Sequence, residues 1–215
     1  MTGRRQWVAH CSGALLAALA GAAIGQPRAG LRRHIVVLGD SLSAEYGIGR
    51  GQGWVALLEQ RLREQGLPHT VFNASISGDT TSGGLSRLPA VLSQQRPSHV
   101  LIELGGNDAL RGMPLAHTRA NVAAMVKAVQ ATRAKALVIG MQMPPNYGAR
   151  YGREFAQLFA DVAREHRAAL TPFLLAGVAD RPDADAWFQS DRIHPLARAH
   201  PVMLDNVWAA LKPML

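Results

Sequence analysis

An α/β protein built on a doubly wound, mainly parallel sheet is predicted by three features of this sequence. Short apolar runs recur along it, helical stripes of apolar residues separate them, and polar glycine-rich segments follow three of the runs. The first run, residues 34–38, ends in Gly39-Asp40-Ser41, and Trp54, Leu57, Leu58 and Leu62 then form a helical stripe. Residues 70–74 are the second run, with exit Ser77-Gly78-Asp79, followed by a stripe of Leu85, Leu88, Val91 and Leu92. The third, 100–104, leads into Gly105-Gly106-Asn107-Asp108 and a stripe of Val122, Met125, Val126 and Val129. A fourth run at 136–141 and a weaker fifth at 169–173 bracket the stripe Phe155, Leu158, Phe159 and Val162. The last helix runs through Val202, Met203, Val207 and Leu211 and stops near Pro213. In such a sheet ligands sit outside the carboxyl ends of the strands, so the polar exits are where chemistry belongs.

At 215 residues, with 48% hydrophobic and 18% charged, the chain suits one domain with a full apolar core, assigned to residues 26–215. Residues 1–25 read as a secretory signal peptide, with Arg4 and Arg5 ahead of an apolar stretch at 13–24 and small residues beyond. Twelve apolar residues fall short of the roughly 20 that span a bilayer, so cleavage after export is expected rather than a permanent anchor. The export route stays open, because Arg4-Arg5 also suits a twin-arginine leader. A periplasmic or secreted mature protein follows. The single cysteine, Cys11, lies in the leader, which leaves the mature chain without thiol chemistry or a disulfide.

The leader holds two of the 23 basic residues and none of the 15 acidic ones, so the mature chain carries about +6. All but three of the basic residues are arginine, and they are scattered rather than interleaved with aromatics. That argues against a nucleic-acid surface and leaves transient contact with an anionic membrane or an acidic substrate open. A monomer is the expected state. No His-Glu-x-x-His or similar ligand cluster is present, so neither metal nor cofactor is expected.

Acyl transfer by a serine needs a base in contact with it, a group orienting that base, and donors for the oxyanion. Ser41 is the candidate nucleophile, His194 the base and Asp191, three residues before it, the orienting carboxylate. The backbone N–H groups of Ser41 and Gly78 and the side-chain amide of Asn107 are candidate oxyanion donors. Glycine at 78 spares the substrate oxygen a Cβ, while Gly105 and Gly106 let the backbone tighten around Asn107. Asp40 is declined as base because neighbours leaving a strand point to opposite sides, and it is assigned to tying the turn together. Asp79 and Asp108 are expected to bind loop backbone. His34, His69, His99, His117, His166 and His200 are expected at the surface or at helix ends. Leu110, Met113, Pro114 and Leu115, close behind Asn107, are candidates for an apolar wall around an acyl chain.

With these segments in view, the chain resembles the SGNH hydrolases, also called GDSL esterases and lipases. The resemblance rests on GDSLS at 39–43, NASISGDTTSGGLSRLP at 73–89, LGGNDALRG at 104–112, MPPNYG at 143–148 and DRIHP at 191–195, and spans about residues 34–213. It implies a flavodoxin-like three-layer α/β/α sandwich with a five-stranded sheet and the same roles for Ser41, Gly78, Asn107, Asp191 and His194. It also implies cofactor-free hydrolysis of acyl esters, thioesters and lysophospholipids through an acyl-enzyme. Two positions depart from the family pattern. Glu45 stands where glycine is usual, so its carboxylate either discourages anionic substrates or faces solvent, and Arg192 replaces a residue that is often small. Two rival readings remain: a catalytically silent acyl- or glycan-binding module, and a flavin carrier, against which Asp40 and Glu45 beside a phosphate loop both count.

Overall fold

The computed structural model describes residue 2 and residues 33–215; the expected signal peptide lies outside the described residues. Five strands, β1 (His34–Gly39), β2 (Thr70–Asn73), β3 (His99–Glu103), β4 (Lys135–Ile139) and β5 (Ala169–Thr171), pair in parallel in the order β2-β1-β3-β4-β5. Because β2 winds one way from β1 and β3 winds the other, the exits of β1 and β3 flank the point where the topology reverses.

Strand alternation sorts the apolar runs into two cores. Val36, Leu38, Val100, Ile102 and Val138 face one side, packed by α2 (Thr81–Gln95), α4 (Leu115–Ala131) and α5 (Ala149–Glu165). Ile35, Val37, Leu101, Leu137 and Ile139 face the other, against α1 (Trp54–Glu64) and α6 (His200–Leu211). The three layers and all five strands match the sequence expectation, and every predicted helical stripe lies on a helix. The structure adds α3 (Gly106–Leu110), five residues with no apolar period to reveal it. The fourth strand ends at Ile139, short of the run's end, as Gly140 N–H turns to the Thr171 carbonyl.

One histidine departs from expectation, and another, at a helix end as expected, is buried there. His99 lies buried in β3, its Nε2 3.0 Å from the Met214 carbonyl oxygen. His200 starts α6 but is only 3% exposed, and its Nδ1 accepts the Trp54 N–H at 3.0 Å. That bond requires a neutral imidazole, and burial lowers the His200 pKa to about 4. A histidine held neutral by the fold contributes stability above its unfolded pKa and loses it as pH falls through the folded value. His200 is therefore expected to cost about 3 kcal/mol between pH 7 and 4. Melting temperatures measured across that range should fall more steeply for the parent chain than for His200→Asn, whose amide oxygen replaces Nδ1 without titrating. Parallel curves would refute the assignment.

Candidate active site

β1 delivers Ser41 into a turn whose first carbonyl, that of Asp40, accepts from Ser43 N and Ala44 N at 3.2 and 3.0 Å. The Asp40 side chain closes the same turn, its Oδ1 accepting Leu42 N–H at 3.0 Å. At the other end of the sequence, an antiparallel bridge between Phe188 and Pro195 and the Gln189 N–H to His194 carbonyl bond close a narrow loop. Within it Asp191 Oδ1 accepts the N–H groups of Ile193 and His194, and Asp191 Oδ2 lies 2.7 Å from His194 Nδ1. His194 Nε2 lies 2.9 Å from Ser41 Oγ. Since a carboxylate only accepts, Nδ1 carries the imidazole proton and the Nε2 lone pair faces the serine hydroxyl. Burial alone raises the Asp191 pKa, but the two backbone donors and the imidazole outweigh it and hold the pKa at about 2.

Asn107 opens α3 and donates its Nδ2 to Asp40 Oδ2 at 3.0 Å, which fixes the amide with its nitrogen toward the nucleophile turn. Gly105, with φ 130, makes the tight approach: a Cβ there would stand 3.0 Å from the Phe159 ring. At Gly78 the backbone itself demands glycine, with φ 79, and a Cβ would meet only the Arg111 guanidinium at 3.9 Å. The left-handed turn thus adds a second reason to the open approach expected from the sequence. Asp79 and Asp108 bind backbone as expected, Asp79 Oδ1 at Thr80 N–H and Asp108 Oδ2 at Thr81 N–H, both 2.9 Å.

Three residues absent from the sequence reading hold this rim together. Arg87 on α2 donates to the Gly39 and Ala74 carbonyls and to Asp79 Oδ2, stapling the exits of β1 and β2 to the loop before α2. Arg111 Nη2 binds the Gly78 carbonyl at 2.8 Å, linking that loop to the one after α3. Glu103, paired in register with Gly39, is fully buried, and its Oε2 accepts Ser43 Oγ at 2.6 Å and Asp40 N–H at 3.2 Å. A Cβ on Gly39 would stand 2.6 Å from that oxygen, so the glycine makes room for it. Only Glu103 had a visible signal, a single charge ending an apolar run.

Burial raises both carboxyls beneath the nucleophile. Asp40 is pushed up to about 6 by burial and by the charge of Asp79, against the Leu42 N–H, the Asn107 amide and His194. Glu103 is raised as well, first by complete burial and then by the charge of Asp40, so each carboxyl disfavours charge on the other.

Glu45 is half-buried, and its carboxylate serves the backbone. It sits at φ 58, and its Oε1 accepts the N–H groups of Gly51 and Gly53 at 2.9 Å, which offsets the strain of a left-handed residue. Arg192 lies 3.6 Å from Asp185 in an exposed pair that contributes little. Of the proposed wall, Leu110 is exposed and Leu115 half-buried, lining a hollow of about 410 Å³ between α4 and α5 that neither Ser41 nor His194 reaches. A second groove of about 330 Å³ follows β4, lined by Met143, Pro144 and Ala149 among others, in the stretch quoted above for its resemblance. Among the described residues no group of three or more His, Cys, Asp or Glu is placed to hold a metal ion.

Residues 37–202 match the family described as "GDSL-like Lipase/Acylhydrolase family". The chain is 49% identical to "Esterase TesA" of Pseudomonas aeruginosa over 181 residues, 84% of this chain and 89% of that protein. It is 39% identical over 188 residues, 87% of this chain and 88% of the relative, to "Thioesterase 1/protease 1/lysophospholipase L1" of Escherichia coli. Among solved structures, the psychrotrophic esterase EstA from Pseudoalteromonas sp., inhibited by monoethylphosphonate, superposes with a TM-score of 0.79 at 38% identity, over 85% of this chain and 98% of that one.

Proposed function

Because the chain belongs to the GDSL-like lipase/acylhydrolase family and is a serine ester hydrolase, we propose that its acyl-enzyme forms on Ser41, with His194 as base and Asp191 as orienting group. The observation that carries this reading is the chain of two hydrogen bonds, Asp191 to His194 Nδ1 at 2.7 Å and His194 Nε2 to Ser41 Oγ at 2.9 Å. Ser41 Oγ attacks the acyl carbonyl as Nε2 takes its proton, and Asp191 stabilises the imidazolium. The oxyanion is received by the N–H groups of Ser41 and Gly78 and the Asn107 amide. Nε2 then protonates the leaving group, and a water activated by the same nitrogen releases the acid. Labelling with a fluorophosphonate followed by peptide mapping tests the assignment: a phosphonylated Ser41 supports it, and a label on another residue overturns it.

The substrates are small-molecule esters or lipids. We assign acyl esters, thioesters and lysophospholipids as the range, met outside the cytoplasm by a monomer after the leader is removed. The names of the relatives, an esterase and a thioesterase/lysophospholipase, support that range. No helix of the described residues is long and apolar enough to cross a membrane. Leu110, Met113, Pro114 and Leu115 are assigned to the acyl chain. Replacing Met113 and Leu115 with serine is expected to lower kcat/KM for dodecanoyl esters about tenfold more than for acetyl esters. A panel of p-nitrophenyl esters measures this, and equal losses across it would remove the wall.

A further inference from the structure

Tyr46 is half exposed, at 50%, yet its ring centroid lies only 4.2 Å from that of His194, tilted by 37°. An exposed aromatic is ordinarily free to turn, but the backbone that carries this one is fixed on both sides. The Tyr46 carbonyl accepts Gln189 Nε2 at 2.9 Å, and Gln189 Nε2 also reaches the Pro195 carbonyl at 3.3 Å, so one amide bolts the Tyr46 loop to the loop that carries His194. Before Tyr46, Glu45 is held left-handed by its bonds to Gly51 and Gly53. After it, Gly47 has φ 71, and a Cβ there would collide with the Gln189 amide.

The fold therefore uses two side chains, Gln189 and Glu45, and two left-handed residues, Glu45 and Gly47, to hold an aromatic ring partly in water. Its position gives the reason. The proposed oxyanion donors are the Ser41 N–H and groups at the exits of β2 and β3, while the imidazole meets Ser41 Oγ through Nε2 at 2.9 Å. The leaving group must depart on the imidazole side, because Nε2 supplies the proton it takes. The ring packed on that imidazole is the Tyr46 ring, half of it open to solvent.

We propose that Tyr46, stacked on His194 and locked by Gln189 and Glu45, is the platform for the leaving group and makes this hydrolase selective for esters with flat, apolar leaving groups. This rests on the assignment of Ser41 and His194 above. Stacking favours an aryl over a small alkyl leaving group and leaves the acyl side untouched.

The test compares p-nitrophenyl butyrate with ethyl butyrate, which give the same butyryl-enzyme and the same deacylation step. Tyr46→Ala is expected to lower kcat/KM for the aryl ester about tenfold more than for the ethyl ester. Tyr46→Phe is expected to restore the ratio of the two to within about twofold of the parent. Tyr46→Leu keeps bulk without a π face and serves if the alanine variant does not fold; it should lower the ratio as well. Equal losses for both esters would mean that Tyr46 acts only through His194, and an unchanged ratio would mean no contact; either result overturns the proposal. Fluorophosphonate labelling of the same variants separates this from the mechanism, because loss of the label from Ser41 in the parent chain would refute the nucleophile and leave the ester ratio a separate measurement.

Discussion

Ser41→Ala is expected to lower p-nitrophenyl ester turnover by roughly four to six powers of ten while leaving the melting temperature close to that of the parent. The size follows from what the hydroxyl does. It is the atom that bonds to the acyl carbon, and without it the imidazole can activate only water, held by none of the geometry that places Oγ 2.9 Å from Nε2. The small effect on stability follows from the surroundings. The turn is closed by Asp40 through its carbonyl and its Oδ1, and beneath it by Ser43 and Glu103, so the Ser41 side chain is not needed to hold it. The residual rate comes from the oxyanion donors and substrate binding. Turnover within tenfold of the parent would place the nucleophile elsewhere.

Asp191→Asn is expected to cost about two to four powers of ten in kcat, through the tautomer of His194 rather than through the loop. The asparagine oxygen can still accept the Ile193 and His194 N–H groups that Asp191 Oδ1 accepts at 2.9 and 3.0 Å. Its NH2 group then faces Nδ1, and a donor there makes Nδ1 an acceptor and moves the imidazole proton to Nε2. Nε2 no longer offers a lone pair to Ser41. Steady-state kinetics should show the fall in kcat with KM within about threefold of the parent, together with an unaltered thermal midpoint. Full activity would show that Asp191 only shapes the loop. The part exposure of its side chain, 37%, is why the lower end of the range is included.

The fold was legible because each strand is a short apolar run and each long helix keeps its stripe, signals that are local along the sequence. The hydrogen-bonded trio proposed for catalysis was legible because Asp191 and His194 share one loop and Ser41 follows the first strand directly. α3 was hidden, since five residues hold too little periodicity. Gln189, Arg87 and Arg111 were hidden for another reason: each acts on a carbonyl, and a carbonyl is present at every residue, so no residue type marks the target. The backbone role of Glu45 was hidden because it depends on a left-handed φ that only the folded turn reveals. His99 was misplaced because a buried imidazole is indistinguishable in sequence from an exposed one.

Ser41 and His194, the proposed nucleophile and base, stand 153 residues apart along the chain. A polypeptide still being synthesised carries Ser41 and Asn107 long before the segment bearing His194 exists. No amino-terminal fragment can therefore hydrolyse anything efficiently, and the chemistry switches on only when the final segment docks. Catalysis is a report that the whole chain has closed.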